Sequence, residues 1–196
     1  MLFGEPFGGL LPGARGAVLS VLLRTDAPLT GRQIHDMVRD DFSLWSVQEA
    51  LKALKSLGLV ETQNIGRAGV HTINDDHAAV PHLRALADPV GALKTAIADT
   101  IDLHVQAVIL FGSIARGEAT SDSDIDLAVI ASSQWEGRIE LEDTIRTKLG
   151  NRCEVLLFTE AELESLAANG EPVVSDILRD GIALFGTKPR ARKMTA

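Results

Sequence analysis

Two acidic residues, Asp124 and Asp126, stand two apart at the head of an apolar run that ends at Ala131. In an extended strand side chains repeat every two residues, so both carboxylates face one side and Ile125 faces the other. Like charges held that close repel and raise each other's pKa unless a cation offsets them. Hard carboxylate oxygens suit Mg²⁺, which takes one or two protein carboxylates and fills its shell with water and substrate phosphates. Upstream, Gly112-Ser113 closes a second apolar run, Val105–Phe111. Glycine lets the backbone approach a ligand closely. The Ser113 hydroxyl, with the amides that follow it, makes a cradle for phosphate. These residue types therefore point to a metal-held phosphate at the mouth of a sheet.

Other chemistries fit less well. Asp122, Asp124 and Asp126 imitate the start of a calcium loop. Its sixth position, however, is Leu127 where glycine is needed, and its twelfth is Ser133 where glutamate is needed. A Walker loop requires Gly-Lys-Ser/Thr, which the chain lacks. The plainest alternative is a polar turn between two core strands.

The stretch reads Phe111-Gly112-Ser113, Ala115-Arg116-Gly117 and Ser123-Asp124-Ile125-Asp126-Leu127. This resembles the polymerase-β-type nucleotidyltransferase superfamily, in particular its small prokaryotic members, the minimal nucleotidyltransferases. The resemblance implies an α/β (α+β) domain with a small mixed sheet. It implies transfer of a nucleoside monophosphate from an NTP, with ATP as donor and two Mg²⁺ ions. Asp124 and Asp126 would hold the metal, with a third carboxylate from the strand 152–158, where Glu154 stands in place of the commoner aspartate. Gly112, Ser113 and Arg116 would bind the nucleotide's phosphates, or Arg116 would only brace the loop. Relatives of this size act as antitoxins that adenylylate a HEPN-type partner protein.

The elements that must position these residues follow from periodicity. A helix over 89–102, with Asp88 as N-cap and Pro89 at its first position, feeds the strand 105–111. After the second strand comes a helix over 136–149 with Ile139, Leu141, Ile145 and Leu149 inward, stopped by Gly150, and then the strand 152–158. A Thr159/Glu162 capping box opens a further helix. Another starts at Pro172, and 182–185 forms a short apolar strand. The basic stretch 188–196 is expected to be disordered.

The first part of the chain has a different pattern. Residues 1–13 read as an irregular arm. Helical spacing predicts helices over 14–25, over 30–38 with a Thr30/Gln33 capping box and Ile34, Met37 and Val38 inward, and over 46–57 with a Ser46/Glu49 capping box and Gly58 as stop. Leu59–Thr62 and Val70–Ile73 then form a hairpin across a polar turn at 66–69. Three helices and a hairpin resemble a winged helix-turn-helix domain, here 14–75. The resemblance implies that Ser46, Gln48, Lys52 and Lys55 face duplex DNA, with Arg67 at the wing tip. Residues 76–104 form a helical connector, and the transferase domain spans 105–187. A winged helix used for protein contact or dimerisation is the competing use of this first part.

Bulk composition bounds the rest. The chain has 196 residues, 45% hydrophobic, with net charge −8 and no tyrosine. Residues 1–75 are near neutral and the acidity belongs to the remainder. Its one cysteine, Cys153, permits no intrachain disulfide and reads as a small buried side chain. His77 and His82 lack partners spaced for zinc. No run is long enough to span a membrane, and the expected location is the cytoplasm. The expectation is thus a Mg²⁺-dependent nucleotidyltransferase with a DNA-binding regulatory domain, for which a palindromic operator would indicate a DNA-bound homodimer. The alternative is a non-catalytic winged-helix regulator whose second domain only binds nucleotide.

Overall fold

The computed structural model describes residues 1–120 and 122–189. The chain divides into two compact units. One comprises Leu2 and Gly4–Pro89; the other comprises Met1, Phe3 and the chain from Val90 on.

The first unit begins with a 3-10 turn at Pro6–Gly9. Phe7 in that turn is buried among Val18, Leu22 and Ile34, so the stretch read as an irregular arm contributes to the core. Helix α1 (Gly13–Thr25) is followed by the two-residue strand β1 (Leu29–Thr30) and α2 (Gly31–Val38). The capping box is present: the Gln33 amide donates to Thr30 Oγ1 at 3.3 Å, and the Thr30 amide donates to Gln33 Oε1 at 2.8 Å. Met37, expected inward, is 55% exposed. The buried stripe of α2 runs through Ile34 to Val38 one turn on, which leaves Met37 outside it.

Helix α3 (Leu44–Ser56) starts earlier than expected. Its N-cap is Ser43, whose Oγ accepts from the Ser46 amide at 3.2 Å, so Ser46 lies in the first turn and opens no capping box of its own. Gly58, at φ +76°, ends the helix as predicted. The Leu59 amide reaches back to the Leu54 carbonyl and the Gly58 amide to Lys55. Strands β2 (Val60–Ile65) and β3 (Ala68–Ile73) are longer than expected, joined by the two-residue loop Gly66-Arg67. Backbone pairing carries the ladder through the polar Gln63 and Asn64, which an apolar pattern cannot reveal. The sheet order is β1-β3-β2, all antiparallel. The connector is not a separate piece. Helix α4 (Val80–Leu86) packs Val80 into the first unit's core. Helix α5 (Pro89–Ala98) gives Leu93 and Ile97 to the second.

The second unit is built on four strands. β4 (Val105–Phe111) and β5 (Ile125–Ala131) lie at the centre of the order β6-β5-β4-β7, with β6 (Cys153–Phe158) and β7 (Ile182–Phe185) at the edges. β4 is antiparallel to β5 and β7, and β5 is parallel to β6. The central strands read as continuous apolar runs because both faces are covered. Val108, Leu110, Leu127 and Val129 pack with α5 and with α7 (Arg138–Leu149). Ile109, Ala128 and Ile130 pack with α8 (Glu160–Ala168) and α9 (Pro172–Asp180). The short helix α6 (Gly112–Ala115) follows β4 directly. α7 starts two residues later than predicted, after Gly137, and Ile139 is 77% exposed where it was expected inward. Leu141 and Ile145, four residues apart, carry the burial. The basic stretch expected from 188 lies, from Arg190 on, outside the described residues. Among the described residues no helix is long and apolar enough to cross a membrane.

Candidate active site

The site grows from the end of β4. Gly112 has φ +72°, a conformation that favours glycine, and it starts α6. Its backbone lies against Asp126: a Cβ built on Gly112 would stand 3.0 Å from Asp126 Cγ and 3.3 Å from its Cβ, and would overlap Oδ2. The pairing of Phe111 with Asp126 across β4 and β5 produces this approach. On the other side of β5, Asp126 is register partner of Glu154 on β6. In parallel strands such partners point to the same face, so these two carboxyls stand side by side. Asp124 lies one residue ahead of β5, rather than within it as the sequence pattern implied.

The electrostatics agree with this convergence. Asp126 is half-buried, and its carboxyl is pushed above the usual carboxylate range. Burial is the first cause, followed by the charges of Glu154 and then Asp124, while Arg116 pulls the other way. The structure thus brings Asp124, Asp126, Glu154, Gly112 and Arg116 into one electrostatic neighbourhood. Asp124 and Glu154 are solvent-exposed. Among the described residues no group of three or more His, Cys, Asp or Glu is arranged to hold a metal ion by itself. The donor chemistry nevertheless suits Mg²⁺, which needs only one or two protein carboxylates when substrate phosphates and water complete its shell.

Ser113 and Arg116 sit on and just after α6. The Ser113 hydroxyl donates to Ser123 Oγ at 3.3 Å, a link across the loop between α6 and β5. Arg116 Nε donates to Glu118 Oε2 at 2.8 Å. That bond, with the Glu118 charge, holds the guanidinium further toward its charged form, and Asp176 and Asp180 of α9 add to it. Ser123 and Glu118 are contributions that spacing does not announce. Ser123 stands beside Asp124 in the motif, but that its hydroxyl reaches Ser113 is a property of the folded loop.

Cys153, next to Glu154, is partly buried and its thiol is pushed up to about 12. Burial is the main cause, then Glu142, then the three site carboxylates. Glu142 Oε1 accepts the Val155 amide at 3.2 Å and Arg138 Nε at 3.0 Å, which ties α7 to the β6 edge.

In the first unit, Gln48, Lys52 and Lys55, three of the residues expected to face DNA, fall within about 60° of one another around α3. Ser46 lies roughly opposite Gln48 and Lys55 around α3, since each residue turns the helix by about 100°. Ser46 and Lys52 line an open groove of about 690 Å³ with Arg15, Trp45 and Glu49. Gln48 lies against the start of α2, where a Cβ on Gly31 would run into its side-chain amide. The charge of Lys55 adds to burial in lowering the pKa of His71 on β3. Arg67 is exposed at the hairpin tip.

Residues 95–190 match the family model described as Polymerase beta, Nucleotidyltransferase. The match runs from α5 through the Gly112-Ser113 turn, the carboxylates and β7, so this stretch of the second unit is similar to nucleotidyltransferase domains. The chain is also similar to part of three solved structures. One is a toxin-antitoxin complex with AMP-PNP, at 24% identity over 51% of this chain and 75% of that one, with TM-score 0.40. The others are the tri-AMPylated Shewanella oneidensis HEPN toxin in complex with MNT antitoxin and the toxin-antitoxin MntA-HepT. Each is 23% identical over 50% of this chain and 70% of that one, with TM-score 0.35. No curated protein matches the chain in sequence.

Proposed function

We propose that the second unit transfers AMP from ATP to a hydroxyl of a partner protein, in the manner of an antitoxin acting on a HEPN-type toxin. The observation that carries the chemistry is Asp126: a half-buried carboxyl beside two others, pressed against the Gly112 turn that leads into Ser113. Such a group is unfavourable alone and becomes favourable once a cation is shared among its neighbours. Asp124 and Asp126, with help from Glu154, would hold Mg²⁺, which when bound neutralises charge on the α-phosphate and the leaving pyrophosphate. Ser113 and the α6 amides orient the terminal phosphates. Arg116 keeps the rest of its guanidinium available beside its Nε contact with Glu118 and adds charge to the same triphosphate. The antitoxin assignment rests on the resemblance of the 111–127 motif to the minimal nucleotidyltransferases.

The test is intact-mass analysis of a small helical partner encoded beside this chain, incubated with ATP, Mg²⁺ and the protein. A gain of AMP units on the partner, lost in Asp124→Ala/Asp126→Ala, is the expected result. No transfer from any NTP by a folded protein would refute it and leave a nucleotide-binding regulator.

For the first unit we propose duplex DNA binding as a winged-helix dimer. The support is the element order helix, strand, helix, helix, hairpin, with Lys52 and Arg67 exposed. In anisotropy titrations, Lys52→Ala and Arg67→Ala should each lower the salt slope by about one. One observation favours a second reading, a protein-contact surface: Trp45 is 74% exposed on the outer face of α3 beside Glu49, which repels a phosphate backbone. Equal binding by wild type and both variants would favour that reading.

A further inference from the structure

One hydroxyl in the loop between α6 and β5 meets three partners. Ser123 Oγ accepts the Thr120 amide at 2.9 Å and the Ser113 hydroxyl at 3.3 Å, and it lies 3.3 Å from Thr120 Oγ1. A serine hydroxyl has two acceptor lone pairs and one proton. Donation of that proton to Thr120 Oγ1 leaves the oxygen fully used. The Ser123 amide closes the same turn on the Thr120 carbonyl at 3.2 Å. Ser123 thus touches the residue that holds the phosphates and immediately precedes a carboxylate of the metal pair.

With its proton on Ser123, Ser113 presents only lone pairs outward and cannot donate to a phosphate. Triphosphate entry therefore requires the pair to reverse. Ser123 turns its proton from Thr120 Oγ1, which is exposed and can take water instead, to Ser113 Oγ. Ser113 then donates to the phosphate while still held from behind. No bond other than hydrogen bonds changes, and both hydroxyls keep their protons.

We propose that Ser123 is a positioning residue that aims the Ser113 hydroxyl at the terminal phosphates by this reversal; the inference rests on the nucleotidyl-transfer reading above. The experiment is calorimetric titration of the full chain with Mg²⁺-ATP and separately with AMP, for wild type, Ser123→Ala, Ser123→Thr, Ser113→Ala and the double alanine variant, each checked by a thermal melt. Loss of one neutral hydrogen bond predicts an ATP Kd raised about two- to tenfold in Ser123→Ala. AMP binding, which does not involve the terminal phosphates, should be unchanged. Ser123→Thr should restore ATP affinity, and Ser123→Ala should add nothing in the Ser113→Ala background. If Ser123→Ala melts low, Ser123→Thr against the Ser113→Ala pair still decides: a threonine variant as weak as Ser113→Ala overturns the proposal. Wild-type ATP affinity in folded Ser123→Ala overturns it alone, as does equal weakening of ATP and AMP. A wild-type protein that binds no Mg²⁺-ATP refutes the transfer reading and this inference with it.

Discussion

Gly112→Ala separates the strain of a left-handed residue from the geometry of the carboxylates. Gly112 and Gly117 have nearly the same φ, +72° and +73°. An alanine at either position incurs about 1–2 kcal/mol of backbone strain. Their surroundings differ. A Cβ at Gly117 meets nothing within 4 Å, whereas at Gly112 it overlaps Asp126 Oδ2 and stands 3.0 Å from Cγ and 3.3 Å from Cβ. The carboxylate can rotate away, but Asp126 Cβ is fixed to β5, so the turn and the strand must also separate by a few tenths of an ångström. Both variants should therefore lose the stability that the shared strain costs, and Gly112→Ala more on account of its clash, at a melting shift of roughly 4–8 °C per kcal/mol for a domain of this size. Only Gly112→Ala should lose AMP transfer beyond that, on the order of a hundredfold, because it displaces a metal-pair carboxylate from a fixed geometry. The assay is the rate of AMP transfer under conditions where melts show both variants folded. Equal transfer by Gly112→Ala and Gly117→Ala would refute the claim that the Gly112–Asp126 packing sets the site.

Three further outcomes follow from the same geometry. Asp126 has a folded pKa above its unfolded value, so its protonated form is favoured in the native state; the resulting stability is present at acid pH and is lost as pH rises through the raised pKa. Asp126→Asn should remove that part of the pH dependence in urea titrations without Mg²⁺ while abolishing transfer; an unchanged pH profile would contradict the crowding of carboxylates. Cys153, with a thiol pushed up to about 12, should react with an aromatic disulfide reagent at pH 8 far more slowly in native than in urea-unfolded protein, and equal rates would contradict its burial. Leu127→Ala, in the middle of β5 and fully buried, should cost about 2–5 kcal/mol in urea denaturation of the second unit, and a loss under 1 kcal/mol would contradict a sheet covered on both faces.

Local rules made much of this molecule legible in advance. The Thr30/Gln33 and Thr159/Glu162 capping boxes and the Gly58 stop depend on neighbours within one turn, and each is present in the structure. The apolar runs at 105–111 and 127–131 could be read as strands because their length, β-branched content and flanking turns are properties of the chain itself. The same holds for Gly112-Ser113 beside Asp-x-Asp, where residue type and spacing indicate the chemistry. Errors arose where a face had to be chosen. Met37 and Ile139 fit an inward pattern but are excluded by the angular width of the buried stripe.

What the tertiary structure decided is mostly pairing between distant segments. Asp126 meets Glu154 only because α7 returns the chain so that β6 lies parallel to β5 in one particular register. Asp126 meets Gly112 only through the antiparallel register of β4 and β5. A register slip of one residue would turn Glu154 to the opposite face of the sheet, and no local residue preference forbids it. The packing of Leu141, Ile145 and Val155 in one core forbids it instead, and that core exists only in the assembled fold. The carboxylates could thus be identified from the sequence as candidates, while their convergence is a consequence of how two buried strands settle their apolar faces.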